Sequence, residues 1–269
     1  MSFVPSAEVV GSGPRAVWFV HGILGQGRNW RSFARRLCDA EPSVRAVLPD
    51  LRCHGASTGA PPPHDLPAAA ADLVALGQPA LVVGHSLGGK VALLWARDHD
   101  ASGAVPVWSL DSPPGADPSA PGAAVEADPE AVLALLRSVP VPAAARDALR
   151  APLRAAGLPE PIVAWLLSSS RHDPDGWRWL WDLDGVAAML ASYREQDLWP
   201  FVEATPRVHL VRAGRSDRWS ERDLARLRAL GSSALGPRAH EVPDAGHWLH
   251  VDQPDAVMAL VRQALRQAT

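Results

Sequence analysis

The chain has 269 residues and is 47% apolar, which suffices for one sizeable core, with or without an inserted segment. Its formal net charge of −3 gives no drive toward nucleic acid or an anionic membrane, so neither is expected as a partner. No apolar run nears the roughly 20 residues of a bilayer span.

Residues 1–13 lack a basic start followed by an apolar stretch, so no secretory signal is expected. Residues 16–20 (AVWFV) are apolar and rich in β-formers, and Gly22, Gly25 and Gly27 stop them at once, as in a buried strand that ends in a tight loop. Residues 30–40 place Trp30, Phe33, Ala34 and Leu37 at helical spacing. Arg28, Arg31, Arg35 and Arg36 nearby read as a solvated face rather than a carboxylate site. Strands follow at 44–48, 80–83 and 105–110, with helices at 66–76 and 89–98. Beyond Ser112 the prolines Pro113, Pro114, Pro118 and Pro121 mark a linker. Helical segments run from there to about residue 200, with no convincing strand. Strand–helix alternation resumes with 207–211, 220–230 and 239–242, and Pro254 opens a last helix.

Alternating strands and helices predict an α/β fold with a mostly parallel central sheet flanked by helices. The predicted organisation is a core at 1–112 and 201–269 with a helical cap inserted at 113–200.

Chemistry concentrates at Gly84-His85-Ser86-Leu87-Gly88, a G-x-S-x-G pattern that follows an apolar strand and opens a helix. A sharp strand-to-helix turn there holds the Ser86 oxygen clear of the sheet, at the positive end of the helix. The Gly-rich turn after the first strong strand, His21 to Gly25, aims backbone at the same place. The N–H groups of Ile23 and Leu87 are therefore candidate oxyanion-hole donors. Of the ten histidines, His247 is the candidate base. It sits in a loop after the last strand and comes late in the chain, which fits the order nucleophile, acid, histidine. His21 and His85 are expected to hold loop geometry, and His240 and His250 to be structural. His54, His64, His99, His172 and His209 read as surface or packing residues. Two carboxylates compete as the acid that orients His247: Asp111 after the 105–110 strand and Asp217 after the 207–211 strand.

Five stretches together resemble the α/β-hydrolase superfamily, and within it a small cofactor-free esterase-type group with a helical cap. They are HGILGQGRNW (21–30), PDLRCHGAST (49–58), VVGHSLGGKVAL (82–93), LDSPP (110–114) and PDAGHWLH (243–250). The resemblance implies Ser86 as nucleophile, His247 as base, and Ile23 and Leu87 as oxyanion donors. It divides on the acid. The superfamily order implies Asp217, whereas the LDSPP turn resembles a group that uses the position of Asp111, and the flanking Ser-Pro favours the latter. Cys53 stands where relatives usually carry a small residue, often glycine; no catalytic role is expected, and oxidation only if the thiol is exposed.

The predicted activity is hydrolysis of small, largely apolar carboxylic esters through an acyl-enzyme on Ser86. Trp165, Trp177, Trp181 and Trp248 are candidates to line the substrate site, set against the general tendency of aromatics to pack the core. No His/Cys cluster has zinc spacing, so no metal and no organic cofactor is expected. Cys38 and Cys53 are expected as reduced thiols of a cytoplasmic protein. Two alternatives remain. One is the same triad turned to C–C, thioester, lyase or perhydrolase chemistry. The other is a non-catalytic small-ligand-binding module on the same fold.

Overall fold

A computed structural model describes residues 3–116, 128–232 and 238–267. The expected linker residues Pro118 and Pro121 lie outside them, as do Met1 and Ser2. Seven strands form the main sheet: β1 (Ala7–Val10), β2 (Arg15–Val20), β3 (Val44–Pro49), β4 (Leu81–His85), β5 (Val107–Leu110), β8 (Val208–Ala213) and β9 (Ala239–Val242). Their spatial order is β1-β3-β2-β4-β5-β8-β9, and every pairing is parallel except β1 with β3.

The apolar runs are continuous because both faces of the sheet are covered. In β2, Trp18 and Val20 join one core cluster while Val17 and Phe19 join the other. The second cluster is closed by α1 (Arg31–Ala40), α10 (Leu249–Asp252) and α11 (Pro254–Gln267), and the first by α2 (Leu66–Asp72), α3 (Leu87–Asp98) and α9 (Glu221–Gly231). The arginines of α1 face outward as expected: Arg31 pairs with Glu8 at 2.6 Å and Arg36 pairs with Asp255.

Three local differences from the sequence reading have physical causes. β1 escaped it because an edge strand of AEVV, alternately exposed and half-buried, carries little apolar signal. β5 starts at Val107 because Pro106 has no N–H to give a ladder. β8 runs two residues past 211 because Arg212 and Ala213 pair with Glu241 and Val242 of β9.

Between β5 and β8 lie α4 (Pro129–Ser138), α5 (Arg146–Ala155), α6 (Glu160–Ser168), β6 (Ser170–Asp173), β7 (Gly176–Trp179), α7 (Leu183–Glu195) and α8 (Trp199–Ala204). The expectation of no strand here is corrected: β6 and β7 form an antiparallel hairpin, with Ser170 opposite Trp179 and Asp173 opposite Gly176. The alternate spacing of Trp177, Trp179 and Trp181 is the period of two that marks a strand. The expected boundary at residue 200 falls inside α8. Lys90 on α3 fastens both ends of this segment. Its buried ammonium donates to the Gly115, Tyr193 and Gln196 carbonyls at 2.8, 2.7 and 3.0 Å, and sits 4.1 Å from the Tyr193 ring centroid.

Candidate active site

Ser86 occupies the turn between β4 and α3 with φ 54° and ψ −123°, a conformation that costs a non-glycine residue about 1–3 kcal/mol. The surroundings allow no other path. A side chain at Gly84 would fall 2.2 Å from the Gly88 carbonyl oxygen, and one at Gly88 would fall 2.4 Å from those of Val20 and His21. Strand, turn and helix are thus pressed together, and Ser86 stands at the start of α3 where the helix dipole favours negative charge.

The end of β5 brings up the acid. Asp111 is buried, also at positive φ (45°), and its Oδ2 accepts from His247 Nδ1 at 2.8 Å. Its other oxygen accepts from Trp219 Nε1 at 2.8 Å and from the Ala213 N–H, at the end of β8, at 3.1 Å. Burial alone would raise the pKa of this carboxyl, but the hydrogen bond and charge of His247, with the Trp219 N–H, hold it below the usual carboxylate range. Asp217 does not join this group. Its side chain is 81% exposed and lies 3.8 Å from Arg218 Nε. The loop after β8 reaches Asp111 through Trp219, while its own Asp217 stays in solvent. Sequence reasoning passed over Trp219, whose only signal was its place two residues after an acid candidate.

His247 sits in a pinned loop. His85 Nε2 donates to its carbonyl at 2.8 Å, and the Gly246 N–H donates to Asp252 at 2.8 Å. Because Nδ1 is engaged with a carboxylate, Nε2 is the nitrogen left for chemistry.

The loop after β2 is held by two more histidines. Leu51 N–H donates to His21 Nε2 at 2.9 Å, so Nδ1 carries the proton and donates to the Gly22 carbonyl at 2.7 Å. Leu24 N–H donates to His54 Nε2 at 3.1 Å, while His54 Nδ1 donates to the Arg52 carbonyl at 2.8 Å. With the Gly25 N–H bound to Gly22, the Ile23 amide is the one of residues 23–25 left without a partner among the described residues. Leu87 opens α3, where a helix N–H has no acceptor within its own helix. His54 was expected only to pack or lie at the surface, and its hydrogen bond to this loop could not be read from chain position.

Ser86, Asp111, His247, Ile23 and Leu87 all border one cavity of about 180 Å³. Trp165 from α6 and Trp248 line it, edge to face at 5.9 Å. The other two tryptophan candidates do not. Trp177 packs edge-on against His172 at 5.4 Å, and Trp181, nearly buried, stacks on Trp179 at 5.5 Å. They face one side of the β6–β7 hairpin and its continuation, and their work is packing. Cys53 is fully buried, and burial pushes its thiol up to about 12, so it is shielded from oxidants in solvent.

A family model described as the alpha/beta hydrolase family matches residues 19–260. The chain belongs to the alpha/beta hydrolase family. It is a hydrolase, and several of its relatives are named esterases or lipases. It is 29% identical over 263 residues to the sn-1-specific diacylglycerol lipase ABHD11 of Mus musculus, covering 93% of this chain and 80% of that protein. It is 29% identical over 254 residues to esterase YbfF of Escherichia coli (strain K12), covering 91% of each. The solved structure of a marine microorganism esterase superposes with a TM-score of 0.77 at 23% identity, over 97% of this chain and 99% of that one; at such identity the likeness is one of fold.

The histidines that frame this alpha/beta hydrolase site tie its stability to pH. Burial pulls His21 down to about 4, and His54 and His250 to about 3, so all three are neutral in the fold. In the unfolded chain each takes up a proton near 6.5. The unfolded state therefore binds more protons as pH falls from about 6.5 toward 4, each ring removing about 1.4 kcal/mol of stability per pH unit. Urea midpoints at pH 7, 6 and 5 should fall in that order. A midpoint constant across the range would mean that these rings are charged in the native state.

Proposed function

We propose that this hydrolase cleaves carboxylic esters of small, largely apolar substrates through an acyl-enzyme on Ser86. The observation that carries the reading is the 2.8 Å hydrogen bond from His247 Nδ1 to buried Asp111, beside Ser86 in the same cavity. In this mechanism His247 Nε2 takes the Ser86 proton as Oγ attacks the ester carbonyl. The Ile23 and Leu87 N–H groups hold the tetrahedral oxyanion. His247 then protonates the leaving alkoxide, and water activated by the same ring releases the acid. Asp111 fixes the tautomer and balances the imidazolium. No metal or cofactor takes part.

Residues 113–200 act as a cap over the substrate, a role supported by Val132, Ile162, Trp165 and Leu190, which reach the cavity from α4, α6 and α7. The preference for apolar substrates is supported by the same side chains. The two arginines at the cavity already have acids: Arg194 is paired with Glu130, and Arg218 stands beside Asp217. No helix among the described residues is long and apolar enough to cross a membrane, and both cysteines are free thiols. The reading includes a cytoplasmic location on the strength of those thiols.

The test is turnover of p-nitrophenyl esters from acetate to palmitate. Short and medium acyl chains are the expected substrates. Trp165→Ala should shift the optimum toward longer chains, whereas Trp181→Ala should lower the thermal midpoint and leave the profile unchanged. Failure on every ester would sink the ester reading and move the same residues to thioester, C–C, lyase or perhydrolase chemistry. Failure of a serine-directed phosphonate to label Ser86 as well would leave a ligand-binding module.

A further inference from the structure

Cys53 lies outside the mechanism, and its setting calls for an account. It is a buried non-glycine residue at φ 65°, where glycine would be free of strain. Its Sγ is 3.2 Å from His64 Nδ1, and the far nitrogen of that ring is 3.7 Å from Asp182 Oδ2. Asp182 is the N-cap of α7 and uses its other oxygen, Oδ1, on the Gly185 N–H at 3.1 Å, which leaves Oδ2 turned to the cluster. Gly185 makes the space: a side chain there would fall 2.3 Å from Cys53 Sγ. One donor atom from each of Cys53, His64 and Asp182 lies within 4.8 Å of the others.

We propose that Cys53, His64 and Asp182 form a binding site for one divalent transition-metal ion of the zinc class, fastening the 51–57 loop to the start of α7. Thiolate, imidazole and carboxylate are the three donor types zinc takes, at about 2.3, 2.0–2.1 and 2.0–2.2 Å. A tetrahedron of those bond lengths puts its donors about 3.3–3.7 Å apart, so donors up to 4.8 Å apart must close by about 1–1.5 Å, with a single nitrogen of His64 turned to the ion. Water fills the fourth position. His64 and Asp182 are 18% and 35% exposed at their side chains, which gives the ion a path from solvent. On binding, the thiol proton leaves to solvent, and thiolate plus carboxylate neutralise the dication.

The loop is built to hold such geometry. Arg52, just before Cys53, makes a buried two-pronged pair with Asp72 at 2.8 Å for each contact, and His54, just after it, holds Leu24. The three ligands are scattered along the chain at 53, 64 and 182, which is why sequence spacing gave no sign of a metal.

The 269-residue, tag-free chain is titrated with Co2+, whose bond to thiolate gives a near-ultraviolet charge-transfer band, and separately with Zn2+ by calorimetry. One equivalent of Co2+ should produce the band. Cys53→Gly, which suits the left-handed backbone, and His64→Gln should abolish it, whereas Cys38→Ser should keep it. Asp182→Asn can still cap α7 with its oxygen on the Gly185 N–H, which turns its NH2 to the ion, so it should weaken Zn2+ binding by about tenfold or more. The proposal is overturned by the lack of a band in the parent chain, by a band that survives Cys53→Gly, by one lost in Cys38→Ser, or by unchanged Zn2+ affinity in Asp182→Asn. None of these readouts depends on ester turnover.

Discussion

Replacing Ser86 with alanine is expected to lower kcat on an accepted p-nitrophenyl ester by about ten-thousand-fold or more, with the fold intact. The size follows from the chemistry: no other hydroxyl occupies the elbow, so the acyl-enzyme path is lost outright and only the oxyanion donors and substrate binding remain. Tolerance of the change follows from the structure. The Ser86 side chain makes no capping hydrogen bond to α3, and alanine has the same Cβ at the same positive φ. Circular dichroism and the thermal midpoint should therefore match the parent chain. Retained turnover in a correctly folded variant would remove Ser86 from the reaction.

The second large effect separates the two acids. Asp111→Asn is expected to reduce kcat by about ten-thousand-fold, and Asp217→Asn by less than about twofold. Trp219 Nε1 and the Ala213 N–H both donate to Asp111 Oδ1, so the asparagine oxygen must take that position. Its NH2 group then points at His247 Nδ1 and needs an acceptor there. His247 can provide one only by carrying its proton on Nε2, the tautomer that cannot take a proton from serine. Asp217 has no such hold on the ring: it is exposed and beside Arg218. Steady-state kinetics of the two variants decide the matter. Equal losses would mean that Asp111 is not the orienting acid.

Much of this was legible in the chain because it is local. Residues 16–20 and 44–48 are largely apolar runs cut off by turn residues, and each is a strand within a residue or two. The elbow around Ser86 is encoded in five consecutive residues, since close backbone packing requires glycine at 84 and 88 whatever surrounds it. The late loop with His247 could be ordered relative to Ser86 by chain position alone.

Other features depend on where distant segments meet. Asp111 and Asp217 both followed a predicted strand, and in sequence only the Ser-Pro after Asp111 leaned toward it. The choice was made by Trp219, which turns inward onto Asp111 and leaves Asp217 in solvent. Trp165 and Trp177 were equivalent in composition, but only one helix of the insert points its indole into the cavity. β1 and β6 are strands by virtue of their partners, because four residues with no buried side chain carry too little pattern to declare themselves. The sequence by itself determined the strand–helix order and the serine elbow, which arise from short-range sterics and apolar periodicity. Tertiary structure alone decided which carboxylate meets His247, which side chains wall the cavity and which histidines are buried, because burial and hydrogen-bond partners are properties of the packed chain.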